Sequence, residues 1–275
     1  MACTHRIPPE RDLVYLYDGS FEGLCCCIYE SFRACEVPAA VFSDSTFQAT
    51  LYPVHRIETD PAIARRVLRG LAQKVSPTAA DLVRLGFLTC HAEKERLILR
   101  FAHLAFAVGA GAVEMIQDDA VCALRKAVQF LHNEAHLCKE FLRFSECEGG
   151  LAARISPKNF VLPLVVPHFA DRLPEEHFLI FDSVHAAAAY YEPYRARFFP
   201  AERFDLPPTD ECEANWRRLW KQYHRTIAIE GRENLRCQMT HCPKRYWGNM
   251  TEFSSRPEIS GTIPTVKQLP TAMGR

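Results

Sequence analysis

The chain has 275 residues, 48% of them hydrophobic, and its 33 basic and 33 acidic side chains cancel. That suits a globular protein with at least one full core, and it excludes a nucleic-acid surface made by overall charge, so any such surface must come from local segregation. Met1 to Asp18 carries no signal-peptide run and no segment approaches the roughly 20 apolar residues of a membrane helix, which predicts a cytoplasmic protein without membrane contact.

In chain order, residues 1–11 read as an N-terminal extension and 12–253 as one globular domain, with room for two lobes at 12–148 and 151–253. Asp12 to Asp18 is rich in aromatic and β-branched residues and predicts a strand. Asp18-Gly19-Ser20 predicts a turn that caps a helix over Phe21 to Arg33. Thr50 to Ile57 predicts a second strand, and Asp60-Pro61 and Ser76-Pro77 predict helices with proline in the first turn. From Asp118 to Phe144, apolar residues at 121, 124, 128, 131, 135, 138 and 142 keep three- and four-residue steps and predict one long helix with a buried stripe. After Gly149-Gly150 the texture changes. Leu151 to Ile155, His177 to Asp182 and Ala186 to Tyr191 read as strands, with a helix over Leu162 to Asp171 despite its prolines. The fold class expected is therefore α+β, mostly helical with a small antiparallel sheet. A connector over Phe199 to Asp210 leads to a helix with Trp216, Leu219, Trp220, Tyr223 and Ile227 on one face, which reads most simply as core. A Ser-, Thr- and Pro-rich tail over 254–275 reads as disordered.

Twelve cysteines, at 3, 25, 26, 27, 35, 90, 122, 138, 147, 212, 237 and 242, include no CxxC pair, so a zinc ribbon is not expected. Most read as small buried hydrophobes, with the contiguous Cys25, Cys26 and Cys27 pointing in different directions around one helix.

Two features can carry chemistry. On the long helix, Arg125, His132, His136, Lys139 and Arg143 fall in one polar band beside the apolar stripe, with Glu134 and Glu140 on other sides. This is either a positively lined cleft or a solvated flank that the buried stripe does not need. His132 and His136 have the i,i+4 spacing of HExxH zinc sites, but the glutamate of that motif is displaced to Glu134 and points away, so no metal or cofactor is expected. From Trp216 to Trp247 there are eight Lys or Arg and only Glu230 and Glu233, a local excess of six positive charges with interleaved aromatics that suits phosphates and base stacking. Tyr246 and Trp247 fit either such stacking or a clamp that closes the fold. No Walker loop, GxGxxG or GxSxG assigns a reaction.

Several segments together go beyond pattern. They are Tyr17-Asp18-Gly19-Ser20-Phe21-Glu22-Gly23-Leu24 with Ile28-Tyr29-Glu30, then His136-x-x-Lys139-x-Phe141-x-Arg143-Phe144 and Pro167-His168-Phe169-Ala170-Asp171-Arg172. Near the end come Arg232-x-Asn234-x-x-x-Gln238, Pro243-Lys244-Arg245-Tyr246-Trp247 and Glu252. Across nearly the whole chain the sequence resembles a bacterial DNA-metabolism or DNA-repair family that carries a domain of unknown function. Members are encoded beside a radical SAM protein and are also found fused N-terminal to uracil-DNA glycosylase-like domains. The resemblance implies DNA, single-stranded or damaged, and a radical SAM protein as partners, and it brings no established catalytic residues.

The function expected is a nucleic-acid-binding accessory to that radical SAM partner. Its contacts would be Arg125, His136, Lys139, Arg143, Arg172, Arg232, Asn234, Arg236, Gln238, Lys244, Arg245, Tyr246 and Trp247. One alternative is an enzyme acting on DNA or nucleotides, with His136, His168 and Asp171 as catalytic candidates in a His/Lys/Arg/Asp cleft. The other is a protein-interaction adaptor, for which an exposed apolar patch would be the mark.

Overall fold

A computed structural model describes residues 8–47, 49–147, 150–204, 211–232 and 234–253. The chain forms two compact units, one up to Leu131 and one from His132 onward. The tail over 254–275 lies outside the described residues.

The first unit starts with β1 (Glu10–Tyr17), α1 (Phe21–Ala34) and β2 (Val37–Ser43), a parallel β-α-β unit. β3 (Val54–Arg56) lies parallel to β1 on its other side, so the sheet order is β2-β1-β3. The predicted turn is formed as expected. Gly19 takes φ 84°, Ser20 Oγ accepts the Gly23 amide at 2.9 Å, and Asp18 Oδ1 accepts both the amide and the hydroxyl of Ser20. Thr59 donates to Asp18 Oδ2 at 2.8 Å. Burial pushes the Asp18 carboxyl up, but the bonds from Ser20 and Thr59 outweigh it and hold the group below the usual carboxylate range. Gly23 has to be glycine here, because a Cβ would stand 2.3 Å from Asp18 Oδ1 and 2.8 Å from Thr59 Oγ1.

α2 (Pro61–Lys74) and α3 (Pro77–Phe87) begin at the predicted caps, with Asp60 accepting the Ala62 amide and Ser76 the Ala79 amide. α4 (Lys94–Val108) follows, without a capping side chain at its start, and was not marked by the sequence signals. Packed by α2, α4 and the sheet, the middle of α1 is buried all round: Leu24 to Ile28 are each at most 3% exposed, while Glu22 and Arg33 near its ends are exposed. The three contiguous cysteines are therefore core residues in every direction, and burial pushes the Cys25 thiol up to about 12.

The second unit carries a five-stranded sheet in the order β4 (Ser145–Cys147), β5 (Gly150–Ile155), β6 (Phe178–Asp182), β7 (Ala187–Glu192) and β8 (Arg195–Pro200). β5 and β6 run parallel and are joined through α6 (Leu162–Arg172), while the other neighbours are antiparallel. The expectation of a small antiparallel sheet is corrected in both units: the first has a three-stranded parallel sheet and the second a mixed one. A helix between two β-runs allows a parallel return, and periodicity does not report which direction is taken. β8, of which only Phe199 and Pro200 fall in the connector read from sequence, is an edge strand, with exposed and half-buried residues alternating. At the centre, all five residues of β6 are buried, and Phe178 stacks on Tyr191 of β7 with centroids 4.7 Å apart.

The long helix is α5 (Asp119–Phe141), and its chain crosses the division between the units. Val121, Leu124, Val128 and Leu131 in the first unit, and Ala135, Cys138 and Leu142 in the second, are all buried, as the stripe requires.

In the first unit His103 is 5% exposed, lies 2.7 Å from Ser31 Oγ and stacks on Phe32 at 4.0 Å. Burial pushes its imidazole down to about 4. The folded value thus lies below the unfolded one, about 6.5, so the unfolded chain binds the extra proton between them. The contribution is complete above about pH 6.5 and is lost as the pH falls towards 4, by up to about 3 kcal/mol. Urea denaturation at pH 7.5 and 4.5 should show a smaller acid loss for His103→Phe than for the parent. Equal losses would place the acid sensitivity elsewhere.

Candidate functional site

α5 carries Arg125, His132, His136 and Lys139 of the expected polar band, while Arg143 lies two residues beyond its last residue, and the members meet different fates. Arg125 belongs to the first unit, where its guanidinium donates to the Val113 carbonyl at 2.7 Å and to Glu114 at 3.0 Å. His132 is exposed. His136 is also exposed and pairs with Glu140 across one turn at 3.0 Å, so Glu140 shares the histidine's face, which corrects its expected position on another side. Arg143 donates to Glu252 at 2.9 Å and to the Glu140 and Leu142 carbonyls. Burial pushes the Glu252 carboxyl up, but hydrogen bonds and the Arg143 charge hold it below the usual range. Arg143 is therefore engaged within the fold.

Lys139 is different. It is half-buried near the end of α5, and its charge acts on His168 of α6 together with that of Arg172. His168 is pushed down first by burial and then by these two cations, with Asp171 pulling the other way. The structure thus brings Lys139, His168, Asp171 and Arg172 into one electrostatic neighbourhood of the second unit, with Lys139 and His168, from the family-like motifs His136 to Phe144 and Pro167 to Arg172, standing 29 residues apart in sequence. Asp171 and Arg172 are exposed and His168 half-buried.

The C-terminal segment forms α7 (Glu211–Thr226), a short 3-10 turn (Glu230–Arg232), α8 (Leu235–His241) and α9 (Lys244–Trp247). Arg232 and Arg236 are exposed, Asn234 caps α8 by accepting the Cys237 amide at 3.0 Å, and the Gln238 carbonyl accepts the Cys242 amide. Lys244 sits over the Trp247 ring at 5.7 Å. Trp247 stacks on Phe253 at 4.6 Å and donates its indole N–H to the Cys242 carbonyl, while Tyr246 is buried against Phe141. Of the two readings of this pair, the clamp is the one built.

Arg245 is spent on a carboxylate that the sequence marked only as a displaced glutamate. Glu134 is 1% exposed and accepts four hydrogen bonds: the Lys158 amide at 3.0 Å, the Asn159 amide at 2.7 Å, the Asn159 side chain at 2.6 Å and the Arg245 guanidinium at 2.9 Å. Every acceptor position that an ionised carboxylate offers is used, which is what makes its burial tolerable. Sequence reasoning missed the pairing of Glu134 with Asn159 and Arg245. The available signal was that an acidic residue stands on the apolar side of an amphipathic helix.

The helix face of Trp216, Leu219, Trp220, Tyr223 and Ile227 is also corrected. These residues are 41–61% exposed and α7 buries none of its side chains. One flank of the helix is tied down by polar contacts, Arg217 to Ser145 at 2.6 Å and the Trp220 indole to Glu252 at 3.2 Å. Amphipathic spacing identifies a shared face; whether anything covers it depends on the rest of the fold.

Replacing Glu134 with alanine should destabilise the second unit by about 3 kcal/mol, because it strands two amides, a carboxamide and part of a guanidinium charge. Denaturant titration checks this, and a loss below about 1 kcal/mol would mean that water replaces the carboxylate.

Residues 92–252 match the family model described as a domain of unknown function, DUF4130. No curated protein and no solved structure matches the chain.

Proposed function

We propose that this chain, which belongs to the DUF4130 family of unknown function, is a nucleic-acid-binding accessory protein of DNA metabolism or repair. The observation that supports this reading is the convergence of Lys139 and Arg172 on His168, three nitrogen groups close enough for the cations to depress the imidazole. A phosphate placed among them would relieve that repulsion and favour the protonated ring, so binding should strengthen as the pH falls. The resemblance to DNA-repair proteins encoded beside a radical SAM protein supplies the context, with that protein as the proposed partner.

The contact set is narrower than the sequence suggested. Arg125, Arg143 and Arg245 already hold partners within the fold, which leaves Lys139, His168, Arg172 and the exposed Arg232, Arg236 and Lys244 as the proposed phosphate contacts. A second reading, an adaptor for a protein partner, draws on the exposed apolar face of α7.

Fluorescence anisotropy with a labelled single-stranded oligonucleotide, at several salt concentrations, tests the first reading. Lys139→Ala with Arg172→Ala should weaken binding for every sequence and lower the log–log salt slope by about 1.4, roughly 0.7 for each contact. Unchanged affinity and slope in a folded variant would transfer the weight to the adaptor.

A further inference from the structure

We propose that the carboxyl ends of β5 and β6 form a second site, which binds a phosphodiester and hydrolyses it with His185 as general base. The site deepens the nucleic-acid reading and rests on it for the identity of the diester. β5 and β6 are the parallel pair of their sheet, and loops beyond the carboxyl ends of parallel strands are where open α/β sheets place ligands.

Asp182, the last residue of β6, is 0% exposed, and its two oxygens do different things. Oδ1 accepts the amides of Val184 and His185, which is all that the hairpin turn requires. Oδ2 lies 2.7 Å from His185 Nδ1, a contact the turn does not need. An ionised carboxylate there fixes the tautomer with the proton on Nδ1 and leaves Nε2 as the basic nitrogen of the ring. The imidazole edge-packs on Phe160 with centroids 5.4 Å apart, and its side chain is 28% exposed, so the ring is oriented yet reachable.

Hydrogen-bond donors stand around the same strand ends. Ser156 Oγ and Ser183 Oγ, each one residue beyond its strand, are 2.8 Å apart, and Ser183 also donates to the Ile155 carbonyl. Asn249 Nδ2 approaches Ser156 Oγ at 3.5 Å, and Lys158 is exposed on the loop after β5. That loop is pinned two residues beyond Ser156 by the Glu134 contacts to Lys158 and Asn159. Hydroxyls, a carboxamide and an ammonium at these strand ends suit an oxyanion, since Asp182 is buried and already engaged.

In the reaction His185 Nε2 takes a proton from water. The hydroxide oxygen bonds to phosphorus, the bond from phosphorus to the ester oxygen breaks, and that oxygen leaves with the proton returned by the imidazolium. Asp182 stays ionised throughout and acts as a positioning residue.

The test uses the full chain with bis(4-nitrophenyl) phosphate, following 4-nitrophenolate release, and with a labelled single-stranded oligonucleotide, following binding and cleavage in the same samples. The parent should hydrolyse the diester with a rate that rises with pH to a plateau, and His185→Gln should lose at least about 100-fold. Asp182→Asn should lower kcat for the diester while leaving KM unchanged, a split that a general loss of folding would not give. Melting curves control for folding, and if Asp182→Asn does not fold, His185→Gln decides alone. A parent rate no higher than the blank, or a His185→Gln rate equal to the parent's, overturns the inference. An oligonucleotide bound but left intact, with no diester turnover, sinks the hydrolytic site alone. Diester turnover without oligonucleotide binding keeps the site and sinks the nucleic-acid reading.

Discussion

Taking an ionised carboxylate out of water costs several kcal/mol unless its oxygens are given back as many donors as they lose. Glu134, on α5, meets that condition with donors from two other stretches of the second unit: the loop carrying Lys158 and Asn159, and Arg245 at the start of α9. Much else depends on it. The Arg245 guanidinium also reaches the Tyr246 hydroxyl at 2.6 Å and lies over its ring, so the same contact that neutralises Glu134 seats the aromatic residue that buries itself on Phe141. Burial then pushes the Tyr246 phenol up to about 12. The arrangement fixes the loop after β5 and the α9 segment against one helix, and every ligand group proposed at the strand ends is carried by that loop, by the residues just after α9 or by the hairpin after β6.

A second carboxylate repeats the device at lower depth. Glu252 accepts from Arg143 and from the Trp220 indole, so it joins the end of α5 to the flank of α7. These two pairings divide the cations of the second unit into structural and free. Arg143 and Arg245 are bound to buried or nearly buried carboxylates, while Lys139 and Arg172 act on a histidine instead. Charge counted along the sequence makes no such distinction, because an arginine that compensates a buried acid contributes nothing to the field outside. The excess of six positive charges between Trp216 and Trp247 is accordingly smaller as seen by a ligand.

The exposed face of α7 poses a physical problem of the opposite kind. Four large apolar side chains on a helix with no buried residue, and Ile227 just beyond its end, lose the burial that usually stabilises an amphipathic helix. What holds the helix in place is polar: Arg217 between Glu213 and Ser145, and Trp220 on Glu252. That pattern is consistent with the proposed adaptor role, and it leaves the aromatic rings of Trp216 and Tyr223 open to solvent.

The sequence by itself determined the local elements whose signals are local. Asp18-Gly19-Ser20, Asp60-Pro61 and Ser76-Pro77 place helix starts by hydrogen bonds reaching two or three residues, and the α5 stripe needs only its own periodicity. β5, β6, β7 and α6 were legible for the same reason. α4 lacked a capping side chain and β8 ran on into what read as a proline-bearing connector, so neither announced itself. Strand direction and order were decided only by the tertiary structure, because pairing partners are chosen by what packs on the sheet and not by the residues of one strand. The same holds for the candidate sites. Lys139, His168 and Arg172 were named from sequence, but which arginines remain free depended on where Glu134 and Glu252 came to lie. The pairing of Asp182 with His185 was local enough to be read, three residues apart, yet nothing in the string showed that the aspartate would be buried and the histidine left half-open.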